Sequence, residues 1–404
     1  MESKLTPILR FREYEHEWKA KTFKELGSVA MCKRIFKEQT TAQGEIPFYK
    51  IGTFGKIADS YISRETYEEY KEKYIYPKVG DILLSASGTI GRTVIYDGED
   101  AYFQDSNIIW FNAHKEPLDN SFLYQFYQVV KWSGLEGSTI KRLYNENVLS
   151  TNINLPSLEE QKKIGSFFKS LDDTISLHQQ ELEALKQTKQ GFLQKMFPKK
   201  GQLIPEIRLS GYKENWKEMK FKNLAKIRRG LTYKPKDVDK TGVRVLRSSN
   251  IKGDSFILKN DDVFVKQEAV NIDYAKENEI LITSANGSSN LVGKHALIKK
   301  LDQPTVHGGF MLIASAKTPY FVNTLMSTEW YDRFIKVHVS GGNGAIGNLN
   351  KNNLENYSVM VPSIEEQIKI GDFFRQLDEV IELKEKEVEA LKETKKGFLQ
   401  KMFI

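Results

Sequence analysis

The sequence predicts a duplicated chain in which two strand-bearing domains alternate with two long helices. The helices are expected to pair as an antiparallel coiled coil, giving a pseudo-two-fold, circular layout. Three observations carry this prediction. PSLEEQKKIGSFFKSLDDTISLHQQELEALKQTKQGFLQKMF at 156–197 returns as PSIEEQIKIGDFFRQLDEVIELKEKEVEALKETKKGFLQKMF at 362–403, about two-thirds identical. A looser pair, PILRFREYEHEWKAKTFKEL (7–26) and PEIRLSGYKENWKEMKFKNL (205–224), sets Arg10, Trp18, Phe23 and Leu26 against Arg208, Trp216, Phe221 and Leu224. Fainter likeness persists between GDILLSASGTIGR (80–92) and NEILITSANGSSNLVGK (278–294), and between GSTIKRLYNENV (137–148) and NGAIGNLNKNNL (343–354). The halves agree at their joints and differ in content, with segments at 1–155, 156–202, 203–361 and 362–404.

In the first domain, Asp81 reads as a turn residue ahead of a buried strand. The polar stretches MCKRIFKEQ, FYKIGTF, SASGTIGR and the Lys141-Arg142 pair read as loops. Lys33, Arg34, Lys50, Ser85, Ser87, Thr89, Arg92, Lys141 and Arg142 there are cations and short polar side chains of the kinds that pair with phosphate and with base edges, which makes them candidate DNA contacts. The acidic clusters Glu13/Glu15/Glu17 and Glu65/Glu68/Glu69/Glu72 would then face away from any duplex.

Each long helix starts after a proline with a capping-box pattern, Ser157-Leu-Glu-Glu160 and Ser363-Ile-Glu-Glu366. Apolar residues follow at alternating spacings of four and three: Ile164, Phe168, Leu171, Ile175, Leu182, Leu185, Phe192 and Met196. The second copy repeats the seam at Ile370, Phe374, Leu377, Ile381, Val388, Leu391, Phe398 and Met402. Two positions in it are polar in both copies, His178 with Lys384 and Lys189 with Lys395. A lone helix cannot bury such a seam, so the other copy is the simplest partner. A chain that leaves along one helix must return along the next, which makes the pairing antiparallel and sets Met1 near Ile404.

In the second domain KIRRGLTYKPKDV (226–238) reads as a basic loop, interleaving Arg228, Arg229, Lys234 and Lys236 with Tyr233. That mixture suits phosphate contact and base stacking. VLRSSNIKGDS and ITSANGSSN end strands in Arg247, Ser248, Asn250, Ser284, Asn286, Ser288 and Asn290, types that reach base edges; Lys294 and Asn343 complete the set. His295 and His307 read as structural residues of strands. GGNGAIG (341–347) follows the strand-like FIKVHVS but is followed by polar NLNKNNLEN, which reads as a flexible loop and not as a dinucleotide site.

The chain of 404 residues carries net charge +7, unevenly: −1 over 1–155, +2 over 156–202, +8 over 203–361 and −2 over 362–404. A basic balance permits a nucleic-acid partner without requiring one. One cysteine, Cys32, and six scattered histidines give neither a disulfide framework nor a zinc spacing, and suit a reducing, cytoplasmic setting. No phosphate loop, no NPPY-like or DPPY-like methyltransferase tetrapeptide and no apolar run of membrane length occurs, so the chain is read as non-catalytic.

Taken together, the two P-S-[LI]-E-E-Q-x-K-I-G-x-F-F helix starts, the two G-F-L-Q-K-M-F ends and the strand elements GDILLSASGTIGR and EILITSANGS resemble the specificity subunit of type I DNA restriction-modification systems. The resemblance covers nearly the whole chain. It implies an α/β (α+β) fold class, with two mixed α/β target recognition domains that each read one half of a gapped double-stranded DNA sequence. It implies that the helices space the domains and dock two methyltransferase subunits, which bring S-adenosylmethionine. ATP and Mg²⁺ would belong to the assembly with its restriction-translocase subunits. The competing readings are a coiled-coil scaffold whose domains bind proteins, and a self-sufficient restriction enzyme, for which the catalytic motifs are missing.

Overall fold

A computed structural model describes residues 5–134, 142–340 and 347–404 of the chain. It divides into two compact units, Met1–Gln179 with Lys386–Ile404, and Gln180–Glu385. The sequence segments separate helix from domain, whereas the compact units each combine one domain with one end of both long helices.

The first unit is built on an antiparallel four-stranded sheet in the order Gly27–Ala30, Ile108–Ala113, Ile82–Ser85, Thr93–Ile95. Ile82–Ser85 is buried at every position, as a strand covered on both faces requires. Asp81 makes the turn before it, its carboxylate accepting from the Lys78 amide at 2.8 Å. A smaller sheet sets Ile46–Tyr49 between Tyr61–Ile62 and, in parallel, Tyr102–Phe103.

The second unit repeats this plan. Its antiparallel sheet runs Ala225–Arg229, Met311–Ala316, Ile280–Thr283, His295–Leu297. Its second sheet sets Val243–Leu246 parallel to Thr305–His307. Two stretches differ from the sequence reading. Residues 226–229, expected to open the 226–238 loop, belong instead to the edge strand Ala225–Arg229, because Ala225 and Ile227 alternate into the core. FIKVHVS is mostly helical: Glu329–His338 is a helix with Tyr331 and Phe334, three apart, on its buried face.

Each domain is closed by a strand pair that brings its start to its end. Lys19–Thr22 pairs with Asn152–Leu155, and Lys217–Lys220 with Ser358–Val361. The long helices Leu158–Lys195 and Ile364–Met402 begin directly beyond. The Ser157 and Ser363 hydroxyls accept from the Glu160 and Glu366 amides at 3.3 and 3.4 Å, one half of the expected capping box. The returning half is absent because both glutamates turn inward. Glu160 takes a two-pronged bond from Arg10 at 2.7 and 2.8 Å, and Glu366 one from Arg208 at 2.8 and 2.7 Å. Each pairing raises the guanidinium pKa, chiefly through the hydrogen bond to its glutamate.

The next residues complete the joint. Gln161 accepts from the Asp119 amide and donates to Pro156 O; Gln367 accepts from the Thr318 hydroxyl and donates to Pro362 O. A Cβ on Gly165 would overlap Ser121 Oγ, and one on Gly371 would lie 2.7 Å from Phe321 N. The I-G-x-F-F motif therefore lets a domain helix, Asn120–Val129 or Pro319–Met326, touch the long helix at its backbone.

The repeated heptapeptide ends answer these starts. In the first unit Phe403 lies 6.1 Å from Phe168 and 5.2 Å from Phe122, ring to ring. In the second unit Phe197 lies 6.1 Å from Phe374 and 6.0 Å from Phe321. Trp18, Phe23 and Leu26 share the first core with Met402, and Trp216 and Phe221 share the second with Met196.

Within each unit the two helices run antiparallel. Phe167 meets Phe398 at 5.2 Å in the first unit, and Phe192 meets Phe373 at 5.0 Å in the second. The polar seam residues find acids on the facing helix: Lys395 reaches Asp172 and His178 reaches Glu387 in one unit, Lys189 reaches Asp378 and Lys384 reaches Glu181 in the other. All sixteen seam residues are buried or half-buried, joined by Leu193 and Leu399. Met1 itself lies outside the described residues. The expected closure shows nonetheless in Leu9, whose amide donates to Lys401 O as Ile207 does to Lys195 O, both at 2.9 Å.

Candidate nucleic-acid interface

In each unit four loops leave the carboxyl ends of four strands. Backbone hydrogen bonds tie together all four in the second unit and three in the first, where the loop after Ala30 is held by the Tyr102 hydroxyl on Lys33 O and by Arg34 on Asp105. In the first unit the loops follow Ala30, Tyr49, Ser85 and Phe103. Gln104 N donates to Tyr49 O, Ala86 N to Asn107 O and Leu143 N to Ala86 O. In the second unit they follow Arg229, Leu246, Thr283 and His307. Leu231 N donates to His307 O, Gly308 N to Leu246 O, Ser284 N to Phe310 O and Leu349 N to Ser284 O. One scaffold thus presents two different loop sets.

On the first set Lys33 and Arg34 are exposed. The Lys33 ammonium lies 5.2 Å from the Tyr74 ring centre, and Arg34 Nε donates to Asp105 at 2.8 Å. Lys50 pairs with Asp59 at 2.8 Å. Arg92 donates to Phe54 O, and Arg142 to Ser106 O, so each crosses between loops. Ser87 donates to Asn107 Oδ1. Ser85 is buried: its hydroxyl donates to Thr89 O and accepts from the Arg92 amide, bracing the 86–91 turn from inside. Lys141 lies outside the described residues, as do Asn343 and residues 341–346 of the glycine-rich stretch.

On the second set Arg229, Lys234, Lys236, Arg247, Ser288, Asn290 and Lys294 are exposed. Asn286 donates to the Ser248 hydroxyl at 3.0 Å, linking two loops. Tyr233 is half-buried against the Val243 and Val265 cluster. Three of the expected DNA-facing residues are instead engaged inside the fold. Arg228 grips Glu279 with both terminal nitrogens at 2.6 Å. Burial would raise the Glu279 pKa, but Arg228, the Ser315 hydroxyl and the Lys276 amide together hold it below the usual range. Asn250 is wholly buried, donating to Asp262 and Ile257 O, and Ser284 is buried beneath Phe310 O. A strand residue and two loop bases cannot be told from surface residues by type alone.

Both histidines are structural. His295 is bonded to Asn323 at 3.0 Å, and His307 Nε2 lies 3.3 Å from Arg228 O. Desolvation lowers both pKa values, that of His307 to about 4. Cys32 is buried, and desolvation pushes its thiol up to about 12. Among the described residues no group of three or more His, Cys, Asp or Glu could hold a metal, and no helix is long and apolar enough to cross a membrane.

Sequence reasoning overlooked exposed aromatics on or beside these loops: Phe36 in the first unit, with Tyr144 next to the bonded Leu143, and Phe310 in the second. Their signal was weak, since a single aromatic in a mixed sequence usually marks core.

These duplicated domains, each with its loop set, belong to a known class. The chain is a member of the type I restriction modification DNA specificity domain family, whose model matches residues 15–187 and 213–393. It is 56% identical over 155 residues to a putative type I restriction enzyme specificity subunit of Haemophilus influenzae, a match covering 38% of this chain and 40% of that one. It is 22% identical over 334 residues to the MjaVIII specificity subunit of Methanocaldococcus jannaschii, covering 79% of this chain and 74% of that one. In fold it matches a type I restriction-modification S subunit from M. genitalium, with TM-score 0.62, 17% identity and 99% of both chains covered. The mixed α/β class and the assignment as a specificity subunit, the DNA-recognising component of such a system, follow from this membership.

Proposed function

We propose that each domain of this chain reads one half of a bipartite, gapped duplex target through its loop set. The long helices set the spacing and dock two methyltransferase subunits. The chain itself performs no chemistry: S-adenosylmethionine is used by the methyltransferase subunits, and ATP with Mg²⁺ by restriction-translocase subunits that join the complex. The observation that supports this reading is the equivalence of the two loop scaffolds together with the divergence of what they carry. The Leu143-to-Ala86 and Leu349-to-Ser284 bonds, at 2.8 and 2.7 Å, hold the same place in both units, yet Asn107 in one is answered by Phe310 in the other. A reader of two unlike half-sites needs that combination.

Exposed lysines and arginines supply sequence-independent phosphate contacts, while Ser, Asn and Arg side chains at the loop ends meet base edges. The test is duplex binding by the chain assembled with its methyltransferase, across a salt series. Neutralising Lys234, Lys236 and Arg247 together to Gln is expected to weaken binding. It should also flatten the salt dependence, by about one slope unit for each phosphate that these side chains neutralise. Arg228 is left intact, because removing it strands buried Glu279. Salt-insensitive binding, or capture of protein but no duplex, would favour the scaffold reading.

A further inference from the structure

We infer that Phe310 is a specificity-determining residue of the second domain, meeting a base of its half-site with the face or edge of its ring. This rests on the DNA reading above and deepens it, since neither the family nor the sequence pattern assigns a base contact to this position.

Phe310 is 67% exposed, although the backbone around it is tied to neighbouring loops. Its carbonyl accepts from the Ser284 and Ala285 amides at 2.9 and 3.1 Å. Met311 N closes a turn onto Gly308 O at 2.8 Å, and Gly308 N is fixed to Leu246 O at 2.9 Å. The two preceding glycines lie close to neighbouring side chains. A Cβ on Gly308 would lie 3.3 Å from Val245 Cγ1, and one on Gly309 would lie 3.2 Å from Thr232 Oγ1. The hydrogen bonds fix the backbone, so that an exposed apolar side chain is presented from an ordered turn and only its own rotamers remain to be ordered on binding.

Its neighbourhood is not apolar. The loops bonded to this turn carry exposed Arg247 and the linked Asn286 and Ser248. A protein-binding patch would cluster apolar groups, whereas this is one exposed ring on loops that carry hydrogen-bonding and cationic side chains. Such a surface matches a nucleic-acid base, which offers an apolar face or a thymine methyl beside polar edges and phosphates. In the first unit the same place is held by Asn107, whose amide oxygen accepts from Ser87. The two domains would thus read this position by different chemistry, one by hydrogen bonding and one by apolar contact.

The experiment uses the full chain with its methyltransferase partner on the duplex found by methylome sequencing, comparing wild type with Phe310→Ala and Phe310→Leu. Phe310→Ala is expected to weaken specific binding roughly tenfold or more while leaving the salt slope and thermal stability unchanged. Two substrate series then separate the sources of apolar contact. Replacing thymine by uracil in the second half-site should cost wild type but not Phe310→Ala if the ring meets a methyl. A 2-aminopurine reporter there should change on binding by wild type only if the ring stacks. Phe310→Leu should retain the first effect and lose the second. Wild-type and Phe310→Ala complexes of equal affinity and base preference would overturn the inference. A wild-type complex that discriminates no duplex would overturn the DNA reading itself.

Discussion

Arg208 and Glu366 stand 158 residues apart, yet their side chains form one of the most buried ion pairs in the second unit. The Glu366 side chain is 1% exposed and that of Arg208 15%. The pair fixes the chain that enters the domain to the helix that leaves it, and Arg10 with Glu160 does the same in the first unit. Removing one partner strands a charge in a dry site, so Arg208→Ala is expected to cost about 3–5 kcal/mol. Replacing both partners by Met and Leu should cost much less, because no unpaired charge remains. Urea unfolding of the two variants checks this, and equal losses would show that the pair acts only through packing. The sequence held both members of each pair, as aligned arginines and aligned glutamates. Nothing in it signalled that they meet, because a glutamate three residues into a helix reads as a local cap.

At the scale of elements, the glycines of the long helices divide into two kinds that sequence alone does not distinguish. Gly165 and Gly371 lie where a domain helix crosses at backbone distance, whereas a Cβ on Gly191 or Gly397 would meet nothing within 4 Å. Alanine is therefore expected to act oppositely at the two sites. Gly371→Ala must push back Phe321 N and should destabilise by about 1–3 kcal/mol. Gly191→Ala and Gly397→Ala relieve a helix-interior glycine and should each stabilise by up to about 1 kcal/mol. Thermal melts of Ala variants at all four glycines test the division; destabilisation at Gly397 would mean that its surface is already covered. The helices themselves were legible because a spacing of four and three over several turns leaves little choice of structure. Their antiparallel course was legible too, from the need to return. The acids that answer the polar seam positions, Asp172 and Asp378 above all, were not, since they lie off the apolar stripe and are ordinary surface charges until the partner helix is present.

At the scale of the whole molecule, the sequence repeat announces two equivalent units, and the structure shows the equivalence extending to sheet order, strand closure and the bonds between loops. What stays illegible is the loop surface. Arg228, Ser85 and Asn250 have the residue types of DNA contacts and serve as internal braces, while Phe310 has the type of a core residue and is exposed. Residue type sets what a side chain could do, and only the surrounding backbone decides which way it faces. The proposed function stands or falls with each domain reading one half-site independently of the other. Methylome sequencing decides this, in cells carrying the cognate methyltransferase with either this chain or a version whose residues 203–361 come from another family member. The expected result is a gapped two-part motif for this chain and, after the exchange, a motif in which one part and the gap are retained while the other part changes. Methylation of a single continuous motif, or an exchange that alters both parts at once, would refute independent reading.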